Sequence, residues 1–241
     1  MNNLVDLCKR IALIPLTAFT GNPNYRYHMA ALDYKNTSNF PTIAAQLQIP
    51  ESLLHEQFEA GFDVPAYRFT RDLEFYKWLV ENKATFKGMS WLDVGADFGC
   101  VSAYISAIIE SKNMQLCDIA LRPKHNFDIK LFDGKSLDYD DRSVDIVLFS
   151  FVLHHASSST IQLLKDARRI SRKHVFVLED PKETAEDDVW GYYHDKSGVF
   201  RSLKEWRSLF DLLGFDIAAE RQLSPEIHSR HFFHLIRRDD N

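Results

Sequence analysis

The stretch Trp91-Leu92-Asp93-Val94-Gly95-Ala96-Asp97-Phe98-Gly99-Cys100 concentrates residues able to hold a ligand. A hydrophobic run carries a carboxylate near its end, and a glycine follows at once. Glycine lets the backbone turn sharply and leaves no β-carbon between the chain and a bound molecule. A helix opening behind such a bend offers unpaired N–H groups in its first turn. Further acidic residues stand where later apolar runs end, Asp118 in Leu116-Cys117-Asp118-Ile119 and Asp133 in Phe132-Asp133-Gly134. Carboxylates suit a ligand that presents hydroxyls, amines or positive charge. Pyrophosphate is the wrong partner, and the dinucleotide fingerprint G-x-G-x-x-G fails here twice, at Asp97 and at Cys100.

Titratable pairs mark a second region. His154-His155 follows the run Asp145 to Leu153, and an unperturbed imidazole titrates near pH ~6.5, so either ring is a candidate base or a packed turn residue. Glu179-Asp180 and His194, in Gly191-Tyr192-Tyr193-His194-Asp195, could meet a substrate amine or hydroxyl. Their spacing has none of the regularity of a metal site, and no metal is assigned. Tyr25-Arg26-Tyr27-His28 is an aromatic and basic cluster that reads either as a lid over a site or as a packed loop.

The elements that must position these residues follow from hydrophobic period. Strands are expected at Ser90–Val94, Met114–Asp118, Asp128–Phe132, Val144–Ser150, His174–Leu178, Phe215–Glu220 and His231–Arg237, most of them near-continuous apolar runs as in sheets covered on both faces. Helices are expected between them. Val101, Tyr104, Ile105, Ile108 and Ile109 make one face of Gly99–Glu110, and Leu163, Leu164, Ala167 and Ile170 one face of Thr160–Lys173. Ser202-Leu-Lys-Glu205 is a capping box for a helix closed by Gly214. Strand–helix alternation predicts an α/β doubly wound, mostly parallel seven-stranded sheet. The last two strands, joined only by a turn around Ser224-Pro225, should pair antiparallel. Residues 1–88 read as a helical N-terminal addition or cap and 89–241 as the main domain; Pro50 opens a helix through Phe58, and Thr70 is placed as the cap of a helix carrying Phe75, Trp78 and Leu79.

Taken in order, these residues resemble the class I S-adenosylmethionine-dependent methyltransferases, of the small-molecule, type-11/12-like kind. Asp93, Gly95 and Gly99 match that family's first motif, with Asp97 in place of its middle glycine. Asp118 stands where the family holds the ribose hydroxyls, and Asp133 where it meets the adenine amine. The fourth strand leads into the histidine turn as it does there, with Ser150 at the strand's end, and the match runs roughly from Ser90 to Arg237. The resemblance implies a Rossmann-like methyltransferase fold, S-adenosylmethionine as cofactor, and Asp93, Gly95, Asp97, Gly99, Asp118, Asp133 and Ser150 as its binding residues. The reading is methyl transfer to an oxygen or nitrogen of a small-molecule acceptor; the residues themselves offer His194 or His155 as base and Tyr25, Tyr27, Glu179 and Asp180 on the acceptor, although in that family a histidine at this turn is often a packing residue. A cationic, phosphate-free cofactor suits the acidic set. Two other readings stay open: an RNA or protein methyltransferase, should Arg168, Arg169, Arg172 and Lys173 form a basic surface beside the pocket, and a binding or scaffold protein of the same fold, to which Asp97 points.

Composition narrows the field. The 241 residues are 45% hydrophobic and 26% charged, with a net charge of −5, which fits a packed globular chain and disfavours a general grip on nucleic acid or anionic membrane. Thr42 to Leu54 has the outline of a helix-turn-helix, yet its would-be reading helix carries Glu51, Glu56 and Glu59 and no lysine or arginine, so DNA binding is rejected. Three cysteines without ligand spacing fit a reducing, cytoplasmic setting. The apolar run Ile11–Phe19 is too short to span a bilayer and is broken by Pro15; it is expected to be a packed helix, not a membrane segment.

Overall fold

Alternate residues of the apolar runs go to opposite faces of one sheet, as the pleat of a strand requires. Trp91, Ile146, Leu148, Phe176, Leu178 and Phe232 pack on one side. Leu92, Val94, Val147, Phe149, Val175, Val177, Phe233 and Leu235 pack on the other. The computed structural model describes residues 40–57, 66–97, 99–121, 128–185, 187, 198–223 and 229–239. The sheet comprises β1 (Trp91–Val94), β2 (Met114–Asp118), β3 (Ile129–Leu131), β4 (Val144–Ser150), β5 (Ser171–Glu179), β6 (Phe215–Gln222) and β7 (His231–Arg237), in the order β3-β2-β1-β4-β5-β7-β6. All neighbours are parallel except β7, which runs antiparallel to both β5 and β6. The expected architecture holds.

On the first face lie α1 (Phe40–Leu47), α2 (Glu51–Gln57), α3 (Ala66–Glu81), α4 (Lys83–Phe86) and α5 (Cys100–Ile109); α6 (Thr160–Ile170) and α7 (Leu203–Leu212) cover the second. All ten residues of α5 are buried, where a single apolar face was expected. Its outward side is covered by α2 and α3, and Ser102, Ala103, Ser106 and Ala107 are small enough for that close approach. The N-terminal helices therefore share one core with β1, β5 and β7.

Two expected boundaries move. Thr70 does not cap its helix, because α3 already begins at Ala66, behind Pro65, a residue type that favours helix starts. Arg172 and Lys173 lie in β5, not in the helix before it, because β5 pairs along the whole of β4 from Ser171 opposite Val144. The capping box at Ser202 and Glu205 forms in full, and Gly214 turns the chain into β6 with φ +80°. Ile11–Phe19, Tyr25–His28, His194 and Ser224-Pro225 lie outside the described residues. Among the described residues, no helix is long and apolar enough to cross a membrane.

A buried histidine pair joins β5 to β7. His174 Nδ1 and His234 Nε2 are 2.9 Å apart among Phe86, Trp78 and Phe176. One ring donates and the other accepts, so the accepting ring must be neutral and the bond is lost once both are protonated. Burial lowers both pKa values to about 4. The unfolded chain then binds more protons than the folded one between pH ~6.5 and ~4, and stability falls as pH drops through that window. We expect a loss on the order of 2 kcal/mol per ring, less for the coupled pair. Denaturant melts from pH 7 to 4.5 check this; His234→Gln should flatten the slope.

Candidate functional site

The chain leaves β1 in a bend that closes over the end of β2. Gly95 and Ala96 N–H both donate to the Cys117 carbonyl, at 2.8 and 3.2 Å. Gly95, Asp97 and Gly99 all take positive φ, at +76°, +52° and +76°. Aspartate is among the few residues that do so at modest cost, which is how Asp97 fits where a glycine was expected. Its N–H donates to Asp118 Oδ2 at 2.8 Å, while Asp118 Oδ1 accepts from Ala120 at 3.1 Å. Asp118 thus holds the bend in shape and lies at its rim. Gly99 precedes α5 as a left-handed N-cap without a side-chain hydrogen bond, so no side chain closes that helix end.

Beneath the bend lies Asp93, 1% exposed. Ser102 Oγ of α5 donates to Asp93 Oδ2 at 2.5 Å, and Oδ1 has no hydrogen-bond partner. Burial, offset in part by the Ser102 bond and reinforced by Asp118 and Asp97, raises its pKa to about 7. Ser150 ends β4 one residue beyond Phe149, which is level with Val94, and its buried Oγ is likewise unpartnered. Buried polar atoms without partners are costly and uncommon, and two of them flank the same strand exits.

Gly95 is needed by the fold as well as by any ligand. A β-carbon there would sit 2.5 Å from Val152 Cγ2, so the room the glycine leaves is filled by a side chain from the turn after β4. That turn and the β1 bend are in direct contact. On the other flank, Phe132 N–H donates to the Asp118 carbonyl at 3.1 Å, and a β-carbon at Gly134 would lie 3.0 Å from Ile119 Cγ2. Asp133 stands between them, exposed, with Oδ1 accepting from Lys135 and Ser136 N–H; these bonds lower its pKa. Ile119, directly after Asp118, is 66% exposed, an apolar plate at the exit of β2.

Across the sheet the exits of β4 and β5 are tied together. Glu179 is fully buried, with Oε1 accepting from Leu153 N–H at 2.7 Å and Oε2 lying 2.6 Å from His154 Nδ1. Phe200 stacks on the His154 ring at 4.9 Å, and His155 is exposed beside it, with ring centroids 4.0 Å apart. Asp180 faces Arg230 at 3.6 Å. Phe151 adopts φ +58°, a strained value for a bulky residue, and the Arg71 guanidinium sits 4.0 Å over its ring while pairing with Asp72. Three of the four basic residues singled out for a nucleic-acid surface, the arginines, are engaged elsewhere: Arg168 with the Gly214 and Arg238 carbonyls, Arg169 with Asp141 and the Leu137 and Tyr139 carbonyls, and Arg172 with Asp145.

Asp93, Gly95, Asp97 and Gly99 therefore lie along the β1 exit, where Asp97 is bonded to Asp118 at the end of β2, with Asp133 after β3 and Ser150 at the end of β4. Residues 92–178 match the family model described as Methyltransferase domain. The chain has the fold of the class I methyltransferases. Structures of that fold have been solved with SAM and with SAH bound. The chain is similar in structure to magnesium protoporphyrin IX methyltransferase from Synechocystis PCC 6803 with bound SAH, at TM-score 0.56 and 14% identity over 77% of this chain and 91% of that one. It is similar also to a SAM-dependent methyltransferase from Aquifex aeolicus, at TM-score 0.53 and 15% identity over 72% and 94%. At such identities the likeness is one of fold. No curated protein matches the sequence.

The chemistry of the donor set at this bend fits S-adenosylmethionine. Carboxylates and an unpartnered hydroxyl surround the bend, and these suit a sulfonium, an ammonium and a ribose diol. Ser102, Ile119 and Val152 escaped the sequence reading; they are ordinary core residue types with no local signature. His154 was named there only together with His155, from which burial alone separates it.

Proposed function

We propose that this protein carries a methyl group from S-adenosylmethionine to an oxygen or nitrogen of a small molecule. One observation supports the reading above the others: a buried, unpartnered Asp93 oxygen directly beneath a glycine bend whose rim is Asp118. An ammonium bound there would supply the hydrogen bond that Asp93 Oδ1 lacks and offset the repulsion among Asp93, Asp97 and Asp118. Asp118 would take the ribose hydroxyls, Asp133 the adenine amine with Ile119 under the flat ring, and Asp93, Asp97, Gly95, Gly99 and Ser150 the remainder of the cofactor. The acceptor would enter over the exits of β4 and β5, between Glu179, Asp180 and the histidine turn, with residues 1–88, Tyr25 and Tyr27 among them, as the cap.

When bound, the cofactor supplies an already activated methyl group. The protein's own contribution is to align the acceptor atom and exclude water, and such alignment is worth up to about 7–11 kcal/mol. The acidic overall balance and the engaged arginines favour a small acceptor over RNA, and the cysteine usage favours the cytoplasm. Incubating the protein with methyl-labelled S-adenosylmethionine and whole-cell extract, then separating small from large molecules, tests the acceptor class. Label in a small molecule, on oxygen or nitrogen, is expected; label confined to RNA or protein would overturn it.

A further inference from the structure

We propose that Arg71 is a positioning residue for the glycine bend: oriented by Asp72, it clamps Phe151 and so keeps the turn after β4 against Gly95. This deepens the methyl-transfer reading above and rests on it. The chain leaves β4 at Ser150, and Phe151 follows with φ +58°, a value that a bulky side chain adopts only under constraint. The kink sends two neighbouring side chains to opposite faces of the sheet. Phe151 packs on the first-face core and Val152 on the second, where Val152 fills the space that Gly95 leaves. Relaxation of Phe151 to negative φ would carry Val152 off the bend.

The strained residue is held at its backbone and at its ring. Phe151 N–H donates to the Leu178 carbonyl at 2.8 Å, which ties it to β5. The ring is held from α3, whose Arg71 guanidinium lies 4.0 Å over it. A cation gains most from an aromatic face where water is excluded, and the Arg71 side chain is only 13% exposed. Its direction is set by Asp72, fully buried, whose two oxygens accept from Nε and Nη2 at 2.7 and 2.8 Å. Such a fork fixes the guanidinium plane, as a lysine ammonium cannot. The helix behind it is itself anchored, with Phe75, Tyr76, Trp78 and Leu79 in the first-face core. Tyr76 also lies 5.2 Å, ring to ring, from Tyr104 of α5, the helix that opens directly after Gly99. Thus α3 reaches the glycine bend by two routes, through α5 and through Phe151 and Val152.

Removing Arg71 alone would strand a buried carboxylate and weaken the whole fold, so the pair is replaced together. Arg71→Ala/Asp72→Leu exchanges the ion pair for apolar side chains and should melt at or above the original temperature. Amide hydrogen exchange of the full-length protein, without cofactor, reads the clamp directly. The Phe151 and Gly95 N–H groups should exchange about tenfold faster in the double variant, while those of α6 keep their rates. Calorimetric affinity for S-adenosylmethionine should fall about tenfold, a loss that a purely structural pair would not cause at equal Tm. Phe151→Leu, which leaves the ion pair intact, should give the same two changes and serves alone should the double variant fail to fold. Combining all three substitutions should weaken binding no further, because they break one contact. Unaltered exchange at Gly95 in a folded variant overturns the proposal, and so does a fully additive loss in the combined variant. If the unmodified protein does not bind S-adenosylmethionine, yet Gly95 exchange still rises in the variants, the methyl-transfer reading fails and the clamp stands.

Discussion

Gly95→Ala is expected to lose both stability and cofactor, and the two losses are separable. The new β-carbon meets Val152 at 2.5 Å and is held at φ +76°. Overpacking costs about 1–3 kcal/mol and left-handed backbone about 1–2 more for a residue with a β-carbon. For a chain of this size that is a fall in Tm of roughly 4–20 °C. The double variant Gly95→Ala/Val152→Ala removes the clash and should recover part of the Tm. On the proposed reading the cofactor lies against this backbone, so its affinity should stay at least tenfold down, about 1.4 kcal/mol, in both. A double variant that binds S-adenosylmethionine as the unmodified protein does would mean that Gly95 serves only the packing of Val152.

The second large effect has opposite signs for folding and for binding. Asp93 titrates at about 7 in the folded protein because it is buried beside Asp118 and Asp97. Its unfolded value is near 4. Between those pH values the folded state binds the extra proton, so stability is greatest at the acid end of that window and falls as pH rises toward 7. The full linkage is on the order of 4 kcal/mol at pH 8. Asp93→Asn abolishes that cost but leaves an amide without a second partner, which costs about 1–3 kcal/mol. A net rise in Tm at pH 8, vanishing near pH 4, is therefore expected, together with weakened cofactor binding. The unmodified protein should release roughly half a proton on binding S-adenosylmethionine at pH 7, since a cation beside Asp93 drives it to the carboxylate. Calorimetry in two buffers of different ionisation enthalpy measures the release. A destabilised Asp93→Asn at pH 8, or binding with no proton release, would show that Asp93 is ionised and satisfied in the free protein.

Much of this molecule could be read from residue order, for reasons that differ by element. Strands β2, β4 and β7 fall where expected because each is an apolar run bounded by polar turns, and burial on both faces leaves no other use for such a run. The capping box at Ser202 was legible because its chemistry is local, two side chains and two N–H groups within one turn. Asp93 and Asp118 were legible as carboxylates at strand exits because each stands at or next to the end of an apolar run. What sequence did not show depends on contacts between distant segments. The second buried face of α5 exists only because α2 and α3 fold over it. Gly95 looked like a glycine kept for a ligand, and its contact with Val152, 57 positions later in the numbering, became visible only when β1 and β4 were placed side by side. The same holds for His154: nothing distinguishes it from His155 until β5 brings Glu179 against one ring and not the other.

Titration calorimetry of the full-length protein with S-adenosylmethionine reaches the central claim most directly. Saturable one-to-one binding, weakened by Asp118→Ala in a variant that still melts cooperatively, is the expected result. No heat of binding at millimolar cofactor, from a protein whose melt shows it folded, would contradict it.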